Sequence, residues 1–82
     1  MNIASIDIGT NTVLLLIAKA DTNDILNPIL NLYKMPRLGK DLTKNKIISK
    51  EKIDLLIDIL LHYKEICNKN DCKLILPFAT QA

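Results

Sequence analysis

No run in this 82-residue chain is apolar for long enough to cross a membrane. The longest uninterrupted apolar stretch is Val13 to Ala18, well short of the roughly 18 residues a spanning helix needs. A secretory leader is missing too: Met1-Asn2 runs straight into an apolar segment, without a basic region or a small-residue cleavage site. Cysteine is scarce, with Cys67 and Cys72 only, and one such pair is a poor metal site. These absences point to the cytoplasm, where thiols stay reduced, and to no membrane partner. Charge of one sign is lacking as well. Eleven basic against nine acidic residues leave a net charge of +2, too balanced to argue for nucleic acid. Aromatics reduce to Tyr33, Tyr63 and Phe78, and no repeat or low-complexity segment occurs.

What is present is aliphatic. Hydrophobic residues make up 49% of the chain, mostly Ile and Leu, which suits a sheet packed on a helix. A chain of this size buries only about 60–65% of its unfolded surface, so its stability margin is thin.

The segment Ile3 to Ala18 reads as an apolar strand, a tight polar turn and a second apolar strand. The turn holds Asp7, Gly9, Thr10, Asn11 and Thr12. A carboxylate at a strand end can hold a hydrated divalent cation. A glycine beside it lets an anion approach the backbone, because no Cβ intervenes. Turn hydroxyls and N–H groups can then donate to phosphate oxygens. The alternative is a plain hairpin, since Gly and Asn tolerate positive φ and Thr suits strand starts. Asp7 argues against it, because an unpaired carboxylate in a buried strand is costly and a hairpin does not need one.

Residues 3–18 resemble the first phosphate-binding motif of the sugar kinase, heat-shock chaperone and actin-like ATPase superfamily. More narrowly, they are similar to the opening of the exopolyphosphatase / guanosine pentaphosphate phosphatase (Ppx/GppA) family, Asp-x-Gly-Ser/Thr-Asn-Ser/Thr between two strands. Arg37-Leu38-Gly39 followed by Leu42 resembles that family's Arg-Leu-Gly-x-Gly-Leu loop, with Asp41 where glycine is frequent. Ala79-Thr80-Gln81-Ala82 resembles its Ala-Thr-Ser/Glu-Ala motif. All three occur in the family's order, and the resemblance covers the whole chain.

Along the chain, strands are predicted over about 3–8, 13–20, 25–34 and 73–79, and one helix over about 50–68. Asp21 to Asp24 make a polar turn. Pro28 places the third strand at an edge or a bulge. Met35 to Ile48 form a loop. Ser49 caps the helix, with Lys52 in place of the Glu of a capping box, and Glu51 favours the helix start. The helix carries Ile53, Leu56, Ile57, Leu60 and Cys67 on one stripe and Leu55, Ile59 and Ile66 on another, wider than the roughly 100° of an ordinary surface helix. A strand after this helix returns parallel to the first by a right-handed crossover. The fold class that follows is α/β: a mixed sheet of order 3-2-1-4, an antiparallel three-stranded meander, and one long crossover helix. The resemblance implies a ribonuclease-H-like half-domain, with residues 1–82 the N-terminal fragment of a first actin-like ATPase domain.

That resemblance further implies a hydrolase that releases terminal phosphate from polyphosphate or guanosine pentaphosphate. Asp7 would orient Mg2+, and Gly9, Thr10, Asn11, Thr12 and Thr80 would line the phosphate site. Arg37 matches a motif residue, with a solvated loop arginine as the plain reading. The general base, a glutamate in the family, is expected downstream of Ala82, so no catalytic residue is assigned within the chain; Glu51, Glu65 and His62 do not match it. Lys34, Arg37, Lys40, Lys44, Lys46, Lys50 and Lys52 form a basic cluster, either a solvated loop or a guide for a polyanion. Two other classes remain: an ATP-dependent small-molecule kinase of the same superfamily, and a non-catalytic interaction module. The wide apolar helix and the strand at 13–18, apolar on both faces, imply a homodimer or a swapped dimer.

Overall fold

The computed structural model describes residues 1–23, 25–37 and 49–79. Four strands, β1 (Asn2–Ile8), β2 (Val13–Ala20), β3 (Leu26–Lys34) and β4 (Cys72–Ala79), and one helix, α1 (Lys50–Lys69), make up the regular structure. The described element ends fall within one residue of the sequence expectation. The sheet order is β3-β2-β1-β4. β1 and β3 each pair antiparallel with β2, and β4 pairs parallel with β1. Only a crossover element can make that last connection, and α1 is it.

Local chemistry explains the ends of the elements. Asp21 Oδ1 accepts from the N–H groups of Asn23 at 2.8 Å and Ile25 at 3.0 Å, which shapes the β2–β3 turn. The Ser49 hydroxyl accepts from the Lys52 N–H at 3.2 Å and caps α1. Asn70 closes the helix, and Asp71 takes a left-handed conformation with φ 52° before β4 starts. Pro28 lies on edge strand β3, where the register shifts: Ile17 pairs with Leu30 and Ala18 with Pro28. The extra residue absorbs the missing N–H.

Alternation sorts the two central strands. Ala4, Ile6, Val13, Leu15 and Ile17 are buried beneath α1, which contributes Ile59, Tyr63 and Cys67. These three recur at every fourth residue and so lie along one stripe. The stripe differs from the sequence expectation. Cys67 and Ile59, assigned to separate stripes, share it. Ile53, Leu55 and Ile57 are exposed, while Leu56, Leu60 and Ile66 flank the core half-buried. The centre of the stripe is Tyr63, which apolar periodicity passed over because its hydroxyl demands a partner. That hydroxyl donates to the Val13 carbonyl at 2.8 Å in the interior. Burial pushes the Tyr63 hydroxyl pKa up, and it pushes the Cys67 thiol to about 11, with Cys72 adding to the effect. Both groups therefore stay neutral and serve the packing.

Among the described residues no helix or strand covers the opposite face of the sheet. Ile3, Ser5, Asp7, Leu14 and Leu16 point there by parity, beside Leu74, Leu76 and Phe78 of β4. Those three β4 residues are 43–50% exposed. A groove of 180 Å³ runs across this face between Ile3, Leu16, Leu26 and Leu76.

Two outcomes are expected. Tyr63→Phe should lower unfolding stability by about 1–2 kcal/mol, since it leaves the Val13 carbonyl buried without its donor; an unchanged urea midpoint would refute the role of the bond. The isolated chain should self-associate through its bare apolar face, and Leu76→Lys should shift it towards monomer in light scattering. A monodisperse wild-type monomer across micromolar concentrations would count against this.

Candidate functional site

Gly9 to Thr12 connect the two central strands, and the Gly9 N–H donates to the Thr12 carbonyl at 2.8 Å to close the turn. Neither Gly9 nor Asn11 has a positive φ. The hairpin explanation, in which these residues supply left-handed geometry, does not apply. Gly9 is not needed here for a left-handed backbone, so what glycine adds at this position is space. The N–H groups of Thr10, Asn11 and Thr12 donate to no backbone carbonyl among the described residues, and the three side chains have no hydrogen-bond partner there either. Thr10 and Thr12 are half-buried and Asn11 is exposed. The loop therefore offers a set of unused donors at one end of the sheet.

Asp7 is the penultimate residue of β1, opposite Leu14 on β2 and Phe78 on β4. It lies on the face away from α1. Its side chain is half-buried, and Oδ1 is shielded from solvent with no hydrogen-bond partner among the described residues. A shielded carboxylate oxygen between two apolar neighbours lacks the compensation that buried charge requires. A cation supplied from outside these residues would provide it.

Among the described residues no cluster of three His, Cys, Asp or Glu side chains could cage a metal. That does not exclude Mg2+, which commonly binds through one or two carboxylates and completes its shell with water and phosphate oxygens. The donor set here, one carboxylate beside a loop of hydroxyls and free N–H groups, fits that mode of binding and does not fit a closed structural metal site.

The segment after β3 approaches the same loop. The Arg37 N–H donates to the Asn11 carbonyl at 3.2 Å. Arg37 itself is exposed and takes φ 54°. Its neighbour Pro36 is buried, and the Pro36 carbonyl accepts from Lys52 Nζ at 2.6 Å. Apolar periodicity gave no sign of this arrangement, since the Arg37 N–H that meets the loop is a backbone atom far from Asn11 in sequence. Glu51, His62 and Glu65 are exposed on α1, on the other side of the sheet from Asp7. Thr80 and the Leu38, Gly39 and Leu42 positions lie outside the described residues, as do Lys40, Lys44 and Lys46.

No family model matches the chain. It is 39% identical over 85 aligned positions to a bifunctional 3-dehydroquinate synthase/phosphatase of Fusobacterium nucleatum, covering 96% of this chain and 13% of that protein. Among solved structures it superposes on the Aquifex aeolicus PPX-GPPA enzyme with a TM-score of 0.90 and 30% identity, covering 100% of this chain and 27% of the other. An exopolyphosphatase from Cytophaga hutchinsonii gives 0.87 and 30%, covering 96% and 25%. The chain thus spans about a quarter of these solved relatives and a smaller share of the curated one.

The shielded Asp7 oxygen has a measurable consequence. Without divalent metal, Asp7→Asn should raise the thermal midpoint, corresponding to about 1 kcal/mol, because an uncompensated charge is removed. Magnesium at ten times its Kd should stabilise the wild type by about 1.4 kcal/mol and leave Asp7→Asn unchanged. A wild type indifferent to magnesium would sink this assignment.

Proposed function

The chain belongs to the Ppx/GppA family, and from that membership we propose that it carries the first phosphate-binding loop of a cytoplasmic phosphoanhydride hydrolase, the N-terminal piece of its first actin-like ATPase domain. The substrate would be polyphosphate or guanosine pentaphosphate, cleaved at the terminal phosphate. The reading rests above all on the shielded, unpartnered Asp7 oxygen beside a loop of unused donors. The fold agrees with it: strand, loop and second strand stand at the head of the sheet as they do in proteins described as Ppx/GppA phosphatases and an exopolyphosphatase.

Each residue then has a role set by its chemistry. Asp7 would hold magnesium, a cation that commonly binds through one or two carboxylates. Gly9 leaves room for a phosphate to reach the backbone. Thr10, Asn11 and Thr12 donate to its oxygens, and Thr80 joins them by its motif. Bound at Asp7, magnesium would supply charge neutralisation on the transferred phosphoryl group. The loop and the carboxylate position the phosphate and do not activate water. The general base belongs to the part of the relatives that this chain does not span.

Isothermal titration with tripolyphosphate tests the proposal. Binding should require magnesium and should be lost in Asp7→Ala. Gly9→Val, which fills the approach to the backbone, should weaken it by about tenfold or more. The 82-residue chain should release no phosphate above the buffer rate. Magnesium-independent binding that survives Asp7→Ala, or turnover by the chain alone, would overturn the half-site reading.

A further inference from the structure

We propose that Arg37 is a phosphate-binding residue of the same site, latched at the mouth of the Gly9–Thr12 loop so that its guanidinium meets a condensed phosphate. The inference rests on the reading of that loop as a phosphate site.

Three observations converge on it. The first is placement. The Arg37 N–H donates to the Asn11 carbonyl at 3.2 Å, so the arginine backbone sits against the loop. This approach is held from behind by buried Pro36, whose carbonyl accepts from Lys52 Nζ at 2.6 Å. The second is strain. Arg37 adopts φ 54°, a region that disfavours any side chain beyond Cα and that Gly or Asn occupies at less cost. An unfavourable backbone at a residue with a long cationic side chain is the kind of outlier found at ligand sites. The third is availability. Arg37 is exposed and pairs with no carboxylate among the described residues. Lys52, by contrast, spends its ammonium on the Pro36 carbonyl.

The chemistry follows from the geometry. Asp7 and the loop donors reach a phosphate from the β1 side. Arg37 follows β3 in the chain and meets the loop through its backbone N–H at the Asn11 carbonyl. A guanidinium presents a planar fork of N–H donors that matches two phosphate oxygens and never loses its charge near neutral pH. A single phosphate seated on the loop would leave part of this fork unused; a chain of linked phosphates would engage both. The ligand of this proposal is therefore at least two condensed phosphates, one seated on the loop and the next meeting the fork.

The test compares wild type, Arg37→Lys and Arg37→Gly by titration with magnesium tripolyphosphate and with inorganic phosphate. Arg37→Gly keeps the N–H that bonds Asn11 and suits the positive φ, so its thermal midpoint should equal or exceed that of wild type. Its tripolyphosphate affinity should fall about tenfold, and added salt should weaken what remains less steeply than in wild type. Arg37→Lys should lose about threefold, keeping charge without the fork. Inorganic phosphate should bind all three alike. If Arg37→Gly binds tripolyphosphate as tightly as wild type while Asp7→Ala loses binding, the role of Arg37 is wrong and the loop reading stands. If wild type binds no tripolyphosphate at all, both fall together.

Discussion

The parity of one strand decides where the chemistry of this molecule lies. β1 buries Ala4 and Ile6 under α1, so Asp7, one residue further on, must point to the opposite face. A slip of a single residue would drive the carboxylate into the helix interface and expose the core. The helix that stabilises the sheet therefore cannot be the element that covers Asp7. This separation leaves the carboxylate between its strand neighbours Leu14 and Phe78, with its Oδ1 without a partner among the described residues.

Although α1 contributes no side chain to the Asp7 face, it governs the loop beside it. Tyr63 holds Val13, the first residue after the loop, through a buried hydroxyl–carbonyl bond. Lys52 holds Pro36, and the next residue, Arg37, holds Asn11. Two sites on one helix thus fix the loop from its end and from its tip. Each bond uses a backbone carbonyl as acceptor, so the positioning does not depend on the identity of the loop residues. Among the described residues, the donors of Thr10, Asn11 and Thr12 have no partner. Such a division between anchoring groups and groups left free for a ligand is what a preorganised binding loop requires.

The layer structure also accounts for the bare face. One helix can cover one side of a four-stranded sheet, and here it covers the side of Ala4 and Leu15. Leu74, Leu76 and Phe78 remain open on the other. Several aliphatic side chains at roughly 1.5–3 kcal/mol each are a large sum against the net stability of a small domain. The solved relatives that share this fold extend well beyond the matched part, and this chain corresponds to about a quarter of each.

The order of the strands, the crossover helix and the polar turn between the central strands were legible from residues alone. Short apolar runs bounded by polar turns, a Ser cap and proline at an edge are local signals, and local propensity and packing agreed. The nomination of Asp7 was legible for the same reason, since a carboxylate inside an apolar run has no local explanation. Other features depended on partners distant in the chain. Tyr63 was left out of both apolar stripes, and its place at the centre of the core depends on the Val13 carbonyl, 50 residues away in sequence, which accepts from its hydroxyl. For Gly9 the sequence left two readings open, space for an anion and left-handed geometry, and only its observed φ removed the second. Arg37 carries no sequence mark of positive φ, and its φ of 54° goes with long-range bonds, its own N–H to Asn11 and Lys52 to Pro36. Sequence determined the elements and the residue types available for phosphate chemistry, since these follow from nearest-neighbour preferences. Tertiary structure decided which of those groups are spent on anchoring and which stay free, because hydrogen-bond partners are assigned only once the chain has brought distant backbone together.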